Sequence, residues 1–365
     1  MNGKTYSLLV STIGLPWGYR GAVYTIEGSK IPAVYTSTAL TKRYNIKKAI
    51  IVGLDAVAFP EKYEDIMLID KRIKELKKAK ESPIQSLFSF FRERSEAEGY
   101  QEVLRMELSA KEKFLREKPG DVYSFFLSQD GFKLNVESYS IIKVNISNIA
   151  AEVAKEALKA LSDVNDREIN VILDITHGLN WLPLQTEKGL ELGLKLASFV
   201  YSKKINLQVF LSKSIKKVTS DPMEPERGEI EKVFERSFYM DDSLREITWS
   251  LMNSMDKLPN VAILAFFFEI SAPLAVAKYV NENWDKISSD FAQLKDELSV
   301  SAKYYSEWLR SETKGLWVPG KGMSLNNMEY FMNKAVKTVY PIGEELLKDE
   351  LKILNNIQNN VQKKY

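Results

Sequence analysis

The sequence predicts an α/β protein whose first domain is a doubly wound parallel sheet and whose second domain is all-helical. Two patterns carry this prediction. Short, nearly continuous apolar runs alternate with helical patterns up to about residue 215, as a parallel sheet covered on both faces requires. After about residue 236 the periodicity is helical almost throughout. The length of 365 residues also favours at least two domains.

Five apolar runs are predicted as strands, namely residues 5–13, 48–54, 140–146, 169–175 and 205–211. Helices are predicted over residues 36–44, 149–161 and 182–200. A charged segment at about 61–130 has a helical pattern and is expected to be an insertion in the first domain.

Composition changes after the fifth predicted strand and sets the domain boundaries. Prolines, a glycine and several charges follow residue 218, which is typical of a linker. We therefore expect a sheet domain over 1–218, a linker over 219–235 and a helical domain over 236–365.

Charge and rare residues exclude several functions. The 51 Lys and Arg nearly balance the 49 Asp and Glu, so an anion site has to be local rather than an overall basic field. The chain has no cysteine and a single histidine, His177, which excludes disulfides, thiolate sites and two-histidine metal sites within one subunit. We expect no metal and no cofactor.

The most apolar stretch, 261–277, contains Glu269 and Pro273 and is too short to span a membrane. The N-terminus reads as a strand rather than a signal peptide, so the cytoplasm is the expected compartment.

Ligands of open parallel sheets bind beyond the carboxyl ends of the strands, and the loop after the first predicted strand has suitable residues there. These residues are Ser11, Thr12, Gly14, Trp17 and Arg20. They provide hydroxyls, a close backbone approach, an aromatic face for a base and a guanidinium for a phosphate. The alternative is an ordinary strand-to-loop turn.

The loop after the fourth predicted strand contains Asp174, Thr176, His177, Gly178 and Asn180, immediately before a predicted helix. His177 and Asn180 could point into the crevice, because core packing does not require a histidine at this position. The alternative is a helix N-cap, with Asp174 as a buried carboxylate at the end of the sheet.

The ending of the first strand, LVSTIG, and the segment VILDITHGLN together resemble the CARF family, the CRISPR-associated Rossmann-fold domains of type III CRISPR accessory proteins of the Csx or Csm type. The second segment is similar to a family motif that reads Asp-Xaa-Thr-His-Gly-Xaa-Asn. The resemblance covers about residues 1–215. It implies a Rossmann-like sheet, a homodimer, and a shared pocket for a cyclic oligoadenylate, most often cyclic tetra-adenylate. The ten loop residues named above are then the candidate ligand-binding residues.

The resemblance also implies a degenerate second domain. In the family this domain is usually a helical HEPN ribonuclease that uses an arginine and a nearby histidine, whereas the only histidine here lies in the first domain. The leading hypothesis is that the protein binds the cyclic oligoadenylate ring, called the ring below, without cleaving it. The alternatives are cleavage of the ring, RNA binding and cleavage through other helical-domain residues such as Arg245, Arg310 and Lys321, and nucleotide binding in unrelated biology.

Overall fold

The computed structural model describes residues 5–59, 99–145, 147–177, 181–213, 226–270, 272–292, 295–318, 322–324, 326–327 and 330. The chain divides into two compact units. The first contains residues 1–190 and 206–237, and the second contains residues 191–205 and 238–365.

Eight strands of the described chain form one sheet. They are β1 (Thr5–Thr12), β2 (Ala22–Ile26), β3 (Ser29–Ala33), β4 (Asn45–Leu54), β5 (Ser138–Val144), β6 (Glu168–Asp174), β7 (Lys204–Ser212) and β8 (Glu226–Phe238). Their spatial order is β3-β2-β8-β7-β6-β1-β4-β5. All five strands predicted from the sequence are present, within a few residues at each end.

The helices that the structure describes before β7 are α1 (Thr36–Arg43), α2 (Asp55–Ala58), α3 (Tyr100–Glu117), α4 (Val122–Leu127), α5 (Ile149–Leu161) and α6 (Trp181–Val200). Helix α5 has the predicted bounds, because its alanines and aliphatic residues recur at helical spacing and are buried on one face. Helices α3 and α4 fall in the predicted insertion, whose residues 60–98 lie outside the described part of the chain.

The centre of the sheet is parallel. Strand β1 pairs in parallel with β4 and β6, and β4 pairs in parallel with β5. Leu8, Leu9 and Val10 of β1 are completely buried, as expected for a strand covered on both faces. The register sets Ser11 opposite Asp174 and Thr12 opposite Val52, so the carboxyl ends of the three central strands meet at one edge.

The whole sheet is mixed rather than parallel, and two of its parts were missed from the sequence. Strands β2 and β3 form an antiparallel hairpin through Glu27 and Gly28, both with positive φ. Residues 226–238 form β8, so the prediction of a linker over 219–235 does not hold for residues 226–235. Seven of the 13 residues of β8 are glutamate, lysine or arginine and six are exposed, so the alternation expected of a strand is hidden.

The second unit is largely helical in its described residues. Its helices are α7 (Met240–Met252), α8 (Pro259–Glu269), α9 (Pro273–Glu282), α10 (Trp284–Ala292) and α11 (Glu297–Thr313). Phe268 packs edge-on against Tyr305 and Trp308 in the core of this unit, with ring centroids 6.1 Å apart in both contacts. The prediction of an all-helical domain missed a small hairpin of β9 (Trp317–Val318) and β10 (Gly322–Met323). Among the described residues, no helix has the length and apolar character needed to cross a bilayer.

Candidate functional site

A buried carboxylate joins the ends of β1 and β6 to the start of α1. Asp174 is fully buried, and its Oδ2 accepts hydrogen bonds from Thr36 Oγ1 at 2.6 Å, Ser37 Oγ at 2.7 Å and Ser11 Oγ at 3.2 Å. Its Oδ1 accepts from the backbone N–H of Thr176 at 3.1 Å. Four donors compensate the cost of burying this charge. Asp174 therefore positions the site and is not open to a ligand in this conformation.

The hydroxyls of Ser11 and Thr12 are also used within the protein. Both residues are fully buried. Ser11 Oγ lies 2.7 Å from the hydroxyl oxygen of Tyr35, which donates to the carbonyl of Thr12 at 3.1 Å. Thr12 Oγ1 donates to the carbonyl oxygen of His177. These bonds tie the loop after β1 to the loop after β6, so Ser11 and Thr12 lie beneath the site rather than at its surface.

The ring of His177 lies between two tyrosines. Its centroid is 4.5 Å from that of Tyr19, in an edge-on arrangement, and 5.8 Å from that of Tyr35. The Nε2 atom is shielded from solvent and has no hydrogen-bond partner among the described residues. Burial lowers the pKa of His177 to about 4, although the nearby Asp174 carboxylate acts in the opposite direction. The imidazole is therefore neutral at pH 7, with one N–H donor and one acceptor nitrogen.

The two tyrosines keep their protons. Burial is the largest cause that raises the pKa of Tyr19 and of Tyr35 well above the ordinary value of 10, and the Asp174 charge adds to it. Tyr19 also accepts a hydrogen bond from the backbone N–H of Gly14 at 2.9 Å, which closes the loop after β1 on itself. Both phenols therefore stay neutral and support His177 from two sides.

A cavity of about 560 Å³ lies at this edge of the sheet, within the first unit. Its volume falls in the range of small-molecule sites, about 300–1,000 Å³. Aliphatic and aromatic side chains make up most of its wall, together with glycines, one histidine and two charged residues. The lining residues are Ile13, Gly14, Leu15, Gly18, Tyr19, Arg20, Tyr24, Val34, Leu54, Val57, Tyr123, His177, Leu182 and Glu226.

The ten residues predicted from the sequence fall into four groups. Gly14, Arg20 and His177 line the cavity. Ser11, Thr12, Asp174 and Thr176 form the hydrogen-bonded layer beneath it, where Thr176 Oγ1 accepts from the Ser212 N–H at 2.9 Å. Gly178 and Asn180 lie outside the described residues.

Trp17 forms the fourth group. It is buried, and its ring stacks on Phe114 of α3 with centroids 6.1 Å apart. It does not line the cavity described here. In this conformation its aromatic face is used for packing against the insertion, and base stacking on Trp17 stays a prediction.

Sequence reasoning missed several residues of the site. Tyr35 and the hydroxyls of Thr36 and Ser37 are such residues. A signal for the hydroxyls was available in the sequence, since a run of three hydroxyl residues at the start of a helix exceeds the needs of one cap. Glu226 had no comparable signal in the sequence, because it lies in a charged segment with the composition of a linker.

In the described residues, no group of three or more His, Asp or Glu side chains could hold a metal ion.

The first unit therefore has the α/β, Rossmann-like architecture, in which two hydrogen-bonded loops at the ends of parallel strands lie beside a ligand-sized cavity. The chain matches a family described as "CRISPR system endoribonuclease Csx1, CARF domain" over residues 8–214, which is more than half of its length. The chain therefore belongs to this family and is a CRISPR-associated protein. A comparison with curated proteins finds no match.

Proposed function

We propose that this protein is a dimeric sensor that binds a cyclic oligoadenylate, in particular cyclic tetra-adenylate, in a pocket to which each of two chains contributes half. Membership of the CARF family and the cavity at the ends of β1 and β6 support this proposal. The cavity has the apolar walls and the few polar groups that hold a nucleobase and fix its orientation.

The observation that carries the proposal is the buried Nε2 atom of His177, a cavity-lining residue, because this atom has no hydrogen-bond partner among the described residues. A buried polar atom without a partner costs free energy, and the cost is recovered when a ligand supplies the partner. A neutral imidazole can accept from a ribose 2′-hydroxyl or donate to a phosphate or base nitrogen. These groups are all present in a cyclic oligoadenylate.

Symmetry supports a ring of four. A ring of four identical nucleotides has a two-fold axis, and so does a dimer of identical chains. One protomer then needs to recognise only two adenylates. The small net charge of +2 does not oppose the binding of a polyanion, because the guanidinium of Arg20 lines the cavity and acts locally.

Binding of a labelled ring to two His177 variants tests the proposal. His177→Phe keeps an aromatic ring for packing but removes both nitrogens, whereas the amide of His177→Gln reaches about the position of Nε2. We expect His177→Phe to weaken the affinity for cyclic tetra-adenylate by about 5- to 150-fold, equivalent to about 1–3 kcal/mol, and His177→Gln to recover part of the loss. Equal affinities in wild type and His177→Phe would contradict the proposed role of Nε2.

Cleavage of the bound ring is a second candidate function, favoured by the neutral state of His177. The 2′-oxygen would attack the neighbouring phosphorus while His177 accepts the 2′-proton. The bond between phosphorus and the 5′-oxygen breaks, the 5′-oxygen takes a proton, and a 2′,3′-cyclic phosphate remains. Incubating labelled ring with excess protein separates the two functions. Linear products that disappear in His177→Phe support cleavage, and an intact ring supports sensing alone.

We further propose that the helical unit provides the response to ring binding. It holds no histidine, so a ribonuclease of the usual HEPN type is excluded. RNA cleavage by other residues stays an alternative. Arg310 lies 4.0 Å above the ring of Trp284, and Arg245 lies on α7, whereas Lys321 falls outside the described residues. RNA degradation that depends on the ring and is lost in Arg310→Gln would favour this alternative.

A further inference from the structure

The cavity contains an ion pair whose cation is also a suitable partner for a bound phosphate. Arg20 Nη1 lies 2.9 Å from Glu226 Oε1, and both side chains line the cavity. They are the only Lys, Arg, Asp or Glu residues among its described lining residues. The wall therefore has no net charge in this conformation, although the proposed ligand carries one negative charge per nucleotide.

The backbone on both sides of the pair is fixed by hydrogen bonds. Glu226 begins β8 opposite Ala22 of β2, and its N–H donates to the carbonyl of Gly21 at 3.3 Å. The N–H of Gly21 in turn donates to the buried carboxylate of Glu107 at 2.6 Å. The backbone therefore holds Glu226 beside Arg20, and an exchange of partners needs only side-chain movement.

The exposure of the pair permits such an exchange. The Arg20 side chain is 42% exposed and that of Glu226 is 13% exposed. A partly exposed ion pair is weak, so a phosphate with two suitably placed oxygens can replace the carboxylate on the guanidinium. After the exchange, Glu226 remains near the phosphate without its cation, and like charges at short distance repel. Both effects reduce the affinity of the pocket for an anion.

We infer that Glu226 is an internal competitor for Arg20, and that it sets the concentration of phosphate-bearing ligand at which the pocket fills. This inference rests on the proposed function, because it takes the ligand to be a cyclic oligoadenylate. It assigns a role to a residue outside the two loops that the sequence analysis identified. The role is to make binding selective for ligands that present a phosphate to Arg20.

The test compares five variants with wild type for binding of labelled cyclic tetra-adenylate at one salt concentration. Glu226→Gln keeps the shape and removes the charge, and we expect it to tighten binding by about five- to tenfold. Arg20→Gln should weaken binding by about tenfold or more. In the double variant Arg20→Gln/Glu226→Gln most of the gain should disappear, because without Arg20 only the direct repulsion between Glu226 and the phosphate is left to remove.

Glu27→Gln is the matched control. Glu27 forms a similar ion pair, with Arg43 Nη2 at 2.8 Å from its Oε2, and its substitution changes the net charge by the same amount. It follows the end of β2 that is remote from Ala22, at a distance of about 17 Å along the strand. The affinity of this variant should stay within about twofold of wild type. Glu226→Ala should reproduce the gain of Glu226→Gln, so the test does not depend on the folding of one variant.

Each result has a definite meaning. Unchanged binding by both Glu226 variants would overturn the inference. Weaker binding by both would also overturn it and would indicate that the carboxylate itself contacts the ligand. A gain of the same size without Arg20, or one that Glu27→Gln shares, would also overturn it, since it would reduce the effect to general repulsion. If the wild-type protein and all variants fail to bind the ring, the proposed function fails and the inference fails with it.

Discussion

Protonation of His177 should destabilise the folded chain between about pH 7 and pH 4. The pKa of this residue is lowered from 6.5 to about 4 by burial. Each pKa unit corresponds to about 1.36 kcal/mol, so protonating His177 in the folded state costs about 3 kcal/mol more than in the unfolded state. The unfolded chain binds the proton first as the pH falls. The free energy of unfolding therefore decreases with decreasing pH in this range.

Because the chain has a single histidine, the effect of this residue can be separated from that of other titrating groups. Between about pH 7 and pH 5 no other imidazole titrates, and about 2 kcal/mol of the effect should already be present at pH 5. Urea unfolding at both pH values measures the change in wild type and in His177→Gln, which cannot take up the proton. The difference between the two pH dependences isolates His177 from the carboxylates.

Two results would refute the reasoning. One is an equal loss of stability between pH 7 and pH 5 in wild type and His177→Gln. The other is an NMR titration of the single imidazole with a pKa near 6.5, because it would mean that the ring is solvated and not enclosed by Tyr19 and Tyr35.

Three further predictions concern the layers around the site. Asp174→Ala leaves several buried donors unpaired, so the free energy of unfolding measured in urea should fall by about 3–5 kcal/mol. Asp174→Asn should lower it by a smaller amount. A loss below about 1 kcal/mol in Asp174→Ala would contradict the role of Asp174 in joining β1, β6 and α1. Gly53→Ala should lower the free energy of unfolding by about 1–3 kcal/mol, because the added Cβ would lie 2.4 Å from the aromatic ring of Tyr123. An unchanged urea midpoint would show that the Tyr123 side chain can move away. Trp17→Ala should lower the free energy of unfolding by about 3–5 kcal/mol, because the packing on Phe114 is lost. A large loss of affinity for the cyclic oligoadenylate without this loss of stability would instead support stacking of a base on Trp17.

Much of the central sheet could be predicted from the sequence because its strands are buried on both faces. Such strands are nearly continuous apolar runs, as in β1 and β6, and the helices between them have a clear period. The hairpin of β2 and β3 and the strand β8 lie toward one side of the sheet. Strand β8 is partly exposed, so charges replace its apolar pattern and its sequence resembles a loop. Strands β2 and β3 are each only five residues long, and β3 contains a proline and an exposed lysine.

The candidate site could be predicted only in part for a similar reason. The loops after β1 and β6 follow recognisable strands, and the topology of a parallel sheet brings such loops together. Which side chains face the cavity depends on the tertiary structure. Ser11 and Asp174 turn inward because α1 supplies two hydroxyls to the carboxylate, and Glu226 reaches the cavity only because β8 pairs with β2. None of these partners is close in sequence.

Calorimetric titration of the purified protein with cyclic tetra-adenylate tests most directly whether two identical half-pockets enclose one ring. The account predicts saturable binding at one ring per two chains, with heat that is strongly reduced in His177→Phe. Absence of binding, or one ring bound to each chain, would contradict it.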